Sequence, residues 1–143
     1  MRFSILILLC ICLLPVAGSY GQDPYNFKFR TYTYNDGLVH NYTKKCLQDS
    51  KGFLWIITQH GLSRFDGVDF KNFEHNTADS NSLPKDDLED IAIDGQDRIW
   101  LSYKKGLCYY DQDKHRFVKI YAAGKIFESH AVVFDKKRNC IWS

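Results

Sequence analysis

The chain has 143 residues, with 19 Lys and Arg against 17 Asp and Glu, and 15% of its residues are aromatic. A charge balance this even argues against nucleic acid or an anionic membrane surface as the partner. The aromatic content suits flat, half-buried sheet surfaces.

At the N-terminus, Arg2 precedes an apolar run over 5–14, then Pro15, Val16 and small residues. This pattern predicts a secretory signal peptide over 1–21, cut after Gly18 or Gly21. The run is shorter than the roughly 20 apolar residues of a membrane span. Removing it takes Arg2 and leaves 18 Lys and Arg against 17 Asp and Glu. Cys10 and Cys12 lie inside the leader and are given no role. Export leaves Cys46, Cys108 and Cys140, an odd set without paired spacing, which are expected to be buried free thiols.

Residues 22–37 follow as an N-terminal segment. The alternating stretch NFKFRTYTY over 26–34 predicts a strand, ended by a turn at Asn35-Asp36-Gly37. Lying ahead of the first full repeat, this strand is placed to join the last sheet of a ring.

The sequence then repeats itself. DSKGFLWIITQHGLSRFDG over 49–67 returns as DGQDRIWLSYKKGLCYYD over 94–111, with Trp55 and Trp100, Gly61 and Gly106, and Asp66 and Asp111 each 45 residues apart. A third copy opens at Asp135 as DKKRNCIWS, and Trp142 follows Trp100 by 42 residues. A period in the forties, rich in aromatic, Gly and Asp punctuation, is that of propeller blades. The first unit, 38–83, predicts strands over 42–48, 53–58, 61–65 and 69–73. The second, 84–129, predicts them over 88–93, 98–103, 106–110 and 116–121, and a third unit starts at 130 with a strand over 131–134. The polar stretches 76–87 and 122–129 are the links. The reading is all-β: an incomplete β-propeller of four-stranded antiparallel blades, the front of a longer protein, because so few units cannot close a ring of about 4 to 8 blades.

The recurring residues are read as scaffold, since packing needs every copy whereas chemistry needs one site. Asp49, Asp94 and Asp135 are expected to accept hydrogen bonds from backbone N–H groups further on and fix the first turn. Gly52 supplies a positive φ in the first copy. Asp97 in the second, and Arg138 or Asn139 in the third, predict a turn geometry that differs between copies. Trp55, Trp100 and Trp142 are placed to fill the space between neighbouring sheets, and Gly61 and Gly106 open the third strands. His40, His60, His75, His115 and His130 have no metal-ligand spacing, so neither metal nor cofactor is expected. Asn41-Tyr42-Thr43 matches a glycosylation acceptor by a short pattern alone. The turns at Gln59-His60 and Tyr103-Lys104-Lys105 vary between copies while the framework stays fixed. That makes His60 and Tyr103 the candidate ligand contacts, with Tyr103 stacking on a sugar ring.

The pattern Asp-x-x-Gly-x-x-Trp-x-x-Thr-x-x-Gly-Leu-x-x-Phe-Asp-Gly over 49–67 resembles the two-component regulator propeller repeat. Asn35-Asp36-Gly37-Leu38 and Asn81-Ser82-Leu83-Pro84 are similar to that family as well. The second copy departs from it at Asp97 and Tyr103. The resemblance implies a seven-bladed ring in the periplasmic sensor of a hybrid two-component histidine kinase. It further implies an oligosaccharide ligand, transcriptional output, a homodimeric full-length sensor and a membrane segment downstream. No phosphorylation, nucleotide-binding or receiver motif lies in this stretch, and no catalytic residue is assigned to it. The Asp-x-x-Gly-x-x-Trp core is also similar to the Asp-box of propeller glycoside hydrolases, which need a carboxylate pair or an arginine cluster; Arg30, Arg64, Arg98, Arg116 and Arg138 are scattered. An exported binding propeller without a kinase is the third reading.

Overall fold

The structure, a computed structural model, describes residues 28–122, 124–125 and 127–143. The predicted leader and the first two residues of the predicted N-terminal strand lie outside them. All the sheets belong to the unit Thr31–Ser143.

Strands β1 (Thr43–Gln48), β2 (Leu54–Thr58), β3 (Gly61–Phe65) and β4 (Phe70–Phe73) form one antiparallel sheet in sequence order. A second sheet repeats the plan with β5 (Leu88–Ile93), β6 (Ile99–Tyr103), β7 (Gly106–Asp111) and β8 (Arg116–Ile120). A hairpin of β9 (Val133–Asp135) and β10 (Cys140–Trp142) follows. The repetition reaches the register. The ladder slips between Thr43 and Lys45 in β1, and 45 residues later between Leu88 and Asp90 in β5. A bulge of this kind re-aims side chains, and Lys44 reaches across to Asp87 Oδ1 and the Leu88 carbonyl, both at 2.7 Å.

Alternation along the strands gives each sheet two apolar faces, and the faces meet in order. Trp55, Ile57 and Leu62 from the first sheet pack with Ile91, Ile99, Leu101, Cys108, Tyr110 and Phe117 from the second. Leu83, brought in by the link, is buried among them. On the far side of the second sheet, Ala92, Trp100 and Leu107 pack with Val132 of the next unit and with Ile141 of β10. The first tryptophan is wholly buried, with the rings of Tyr110 at 5.6 Å and Phe73 at 5.8 Å. Polar ties supplement the core. Lys45 Nζ meets Asp90 Oδ1 at 2.6 Å, and Asp90 Oδ2 accepts the Val132 N–H at 3.0 Å. Three successive units are thereby joined through their first strands.

The two short motifs outside the repeat now have physical roles. Gly37 has φ +102°, Leu38 is buried, and the Gly37 carbonyl accepts from Asn72 Nδ2 at 2.9 Å, fastening the entry segment to β4. In the link, Ser82 Oγ accepts from the Asn76 N–H and donates to nearby carbonyls, while the Asn81 carbonyl accepts from the Phe117 N–H at 2.9 Å.

Two expectations are corrected. The strand over 26–34 is not formed in its described part: residues 28–33 make no strand, and Tyr34–Asp36 is a single 3-10 turn. Local bonds favour the turn, since Asp36 Oδ2 accepts from the Thr33 N–H and hydroxyl, both at 2.8 Å, and Asn41 Oδ1 accepts from the Tyr34 N–H at 2.6 Å. Among the thiols, only Cys108 is buried; Cys140 is half-buried, and Cys46 is exposed because it lies on the face of the first sheet turned away from the second. The expected difference in first-turn geometry is seen in the third copy, where Asp135 Oδ1 accepts from the N–H groups two and three residues on, whereas Asp49 and Asp94 accept from those two and four residues on, but the hand of the turn is kept. Gly52, Asp97 and Asn139 all take left-handed φ values, of 89°, 58° and 52°. Asp and Asn tolerate that region better than other non-glycine residues, so the turn survives the loss of glycine.

Candidate ligand-binding face

Each repeated Asp closes a clasp on its tryptophan, a contact the sequence pattern did not expose. Asp49 Oδ1 accepts from the Lys51 and Phe53 N–H groups at 3.0 Å, and its Oδ2 accepts from Trp55 Nε1 at 2.8 Å. Asp94 does the same with Gln96, Arg98 and Trp100 Nε1, and adds Arg98 Nε at 2.6 Å. Asp135 repeats the pattern more loosely, with Trp142 Nε1 at 3.5 Å. A carboxylate is suited to the position because it offers acceptors to backbone and indole together. Asp66 caps its turn by accepting from Val68 and Asp69, and Asp111 accepts from the Lys114 N–H. These carboxylates hold turns rather than flanking a common substrate space.

The clasp predicts acid sensitivity. Burial pushes the Asp94 carboxyl up, but hydrogen bonds from Trp100, Arg98 and the Gln96 and Arg98 backbone outweigh it and hold the group below its ordinary value of 3.8. A carboxyl depressed in the folded state stabilises fully above its unfolded pKa, and that contribution is lost as pH falls through the folded value. The denaturant midpoint of the wild-type protein should therefore hold from pH 7 to about 5 and then fall steeply below 3.8, the ordinary value. In Asp94→Asn the part of that acid slope owed to this group should disappear; an unchanged slope would remove Asp94 from the account.

Beside each of the first two clasps sits a cation over rings, with the partners exchanged between copies. In the first sheet Arg64 lies over the ring of Phe53 at 4.3 Å and near Trp55 at 5.9 Å. In the second, Arg98 stands at the position of Phe53 and lies over Tyr109, which stands at the position of Arg64, at 5.2 Å, and near Trp100 at 5.4 Å. The Arg64 Nε has no hydrogen-bond partner among the described residues, so the rings are its principal company.

The variable turns fall on one face. Gln59-His60 joins β2 to β3 and Lys104-Lys105 joins β6 to β7, and the end of the link 74–87 runs between them. Contiguity is direct: the Gly61 N–H donates to the Asp86 carbonyl at 2.9 Å, setting His60 beside Lys85 and Asp87. His60 is exposed and its ring lies 4.8 Å from that of His40, a pairing invisible at a separation of 20 residues. Tyr103 is only 8% exposed and its ring belongs to the core, where burial first, with Cys108 and Tyr121, pushes the phenol up to about 12. One edge of it lines a 270 Å³ pocket with Lys85, Asp87, Lys104 and Lys105. The departure from threonine at this position has a visible effect. Thr58 ties its own turn, accepting from the His60 N–H at 3.1 Å and donating to the Gly61 carbonyl at 3.0 Å. Tyr103 instead places its ring under Gly106, where a Cβ would meet the Tyr103 oxygen at 2.9 Å.

On the opposite face, a 320 Å³ groove between the first turns is lined by Lys51, Asp97, Arg98, Asp111, Asp113 and Lys114, among others. Its charges are matched, Lys114 pairs with Asp111, and Asp97 accepts from the Ser50 hydroxyl beside it. Among the described residues no cluster of side chains suits a metal ion.

With this geometry in view, the relatives can be placed. The sequence matches no protein-family model. Over 71–78% of its length the chain superposes on two solved extracellular domains from B. thetaiotaomicron, each assigned to a hybrid two component system. With BT3049 the TM-score is 0.62 at 24% identity, and with BT4673 it is 0.56 at 19%. The described sheets thus share the fold of those two domains. A stretch of 58 residues is also 41% identical to histidine kinase P4 of Formosa agariphila. The chain spans 4% of that kinase and 16% and 14% of the two solved domains. The described part of this chain holds two consecutive four-stranded sheets and the hairpin after them.

Proposed function

We propose that this chain is the front of the periplasmic ligand-sensing propeller of a hybrid two-component histidine kinase, which detects an oligosaccharide outside and controls transcription inside. The observation that carries the reading is the superposition of four-fifths of the chain on the BT3049 extracellular domain, and the sequence match to a histidine kinase supports it. The ring, of seven blades, would be completed by later sequence. In favour of closure, the outward face of the first sheet carries Cys46, Leu54, Ile56, Phe65 and Phe70 around a 400 Å³ trough. The register places these at the positions of Ile91, Ile99, Leu101, Tyr110 and Phe117, the face by which the second sheet packs on the first. A further blade is the natural occupant of such a face. Signalling would pass through a downstream membrane segment in a homodimer.

The test is the native product recognised by an antibody against this region. A membrane-associated product many times heavier than the 16.7 kDa of this chain is expected. A product of that mass, free of the membrane, would overturn the reading.

A further inference from the structure

Resting on the sensor reading, we infer that the pocket of Lys85, Lys104 and Lys105 is an anion subsite, which takes the carboxylate or sulfate group of an acidic oligosaccharide. The chain as a whole is nearly neutral, yet this pocket gathers three lysines around one carboxylate. That carboxylate, Asp87, is already engaged by Lys44 at 2.7 Å from the neighbouring sheet. Lys85, Lys104 and Lys105 are exposed and form no ion pair among the described residues. The pocket therefore holds an uncompensated positive charge within a concave surface. Such a surface attracts a bound anion more strongly than scattered lysines do.

The repeat sharpens the assignment. Forty-five residues before Lys85, Lys104 and Lys105 stand His40, Gln59 and His60. The same three places are thus neutral or imidazole in one sheet and lysine in the next, on a framework that otherwise repeats. His40 and His60 touch, and the Gly61–Asp86 hydrogen bond joins their patch to the pocket. Flat rings beside a cationic pocket fit a sugar ring that carries a charged substituent.

The experiment is titration calorimetry on the complete extracellular domain with three tetrasaccharides: a neutral galactan, an oligogalacturonate and a sulfated galactan. One acidic probe should bind more tightly than the neutral one, and which of the two it is separates carboxylate from sulfate recognition. Its affinity should weaken with added salt, and should fall at least about tenfold in the variant Lys85→Gln/Lys104→Gln/Lys105→Gln. The variant carrying arginine at all three places should keep binding, and matching melting temperatures will show that both variants are folded. Preference for the neutral probe, or affinity unchanged in the glutamine variant, overturns the anion subsite and leaves the sensor reading standing. Binding of none of the three overturns the subsite together with the oligosaccharide ligand, and the product-mass test then decides the sensor reading separately.

Discussion

Trp55→Ala in the complete protein should lower the free energy of unfolding by about 3–5 kcal/mol, the range for deleting a fully buried large aromatic side chain. The indole is completely enclosed between two sheets, beside the rings of Phe73 and Tyr110. Its loss opens a cavity that strand backbones cannot collapse to fill. It also leaves Asp49 Oδ2 without its indole donor while Oδ1 still holds the turn. Chemical denaturation reads the effect. A change below about 1 kcal/mol, the size of an exposed substitution, would mean that the two sheets do not pack through this residue.

The second large effect is at Gly61. With φ at +118°, a Cβ there would sit 2.7 Å from the Phe73 backbone oxygen, and a backbone atom cannot swing aside as a side chain can. Gly61→Ala combines left-handed strain with overpacking, and about 2–4 kcal/mol of destabilisation is expected. Gly67 supplies the control. Its φ is +102° but nothing lies within 4 Å of the added carbon, so Gly67→Ala should cost only the conformational part, about 1 kcal/mol. Equal losses at the two sites, measured by the same denaturation, would remove the close approach as the cause.

Much of this fold is legible because the four-stranded unit writes itself more than once. Strand positions in both full units follow from the 45-residue recurrence and from hairpin turn chemistry, and the structure moves their ends by a residue at most. The N-terminal strand was not legible: its alternation is genuine, but a strand exists only with a ladder, and Thr33, Asp36 and Asn41 provide competing local bonds. The exposure of Cys46 follows from which sheet face has a neighbour, which a single strand pattern does not encode. The Asp–Trp clasp was half visible. The turn-fixing carboxylate is readable from its position, whereas its bond to an indole six residues on depends on how the hairpin folds back. The ligand face was legible as a pair of variable turns, but its content was not. Tyr103 reads as an exposed aromatic until the core claims its ring, and His40 meets His60 only through folding.

The exchanged cation and ring have a bearing on how such a chain can be inherited. Phe53 with Arg64, and Arg98 with Tyr109, satisfy the same contact with opposite assignments. A crossover between copies that falls between the second and third strands would set two guanidiniums against one tryptophan, or leave two rings with no cation at all. Exchange at the links keeps each pair intact. The whole four-stranded unit is therefore the smallest piece that can be duplicated or shuffled without injury, and drift in one member of the pair has to be answered within the same unit rather than copied from its neighbour.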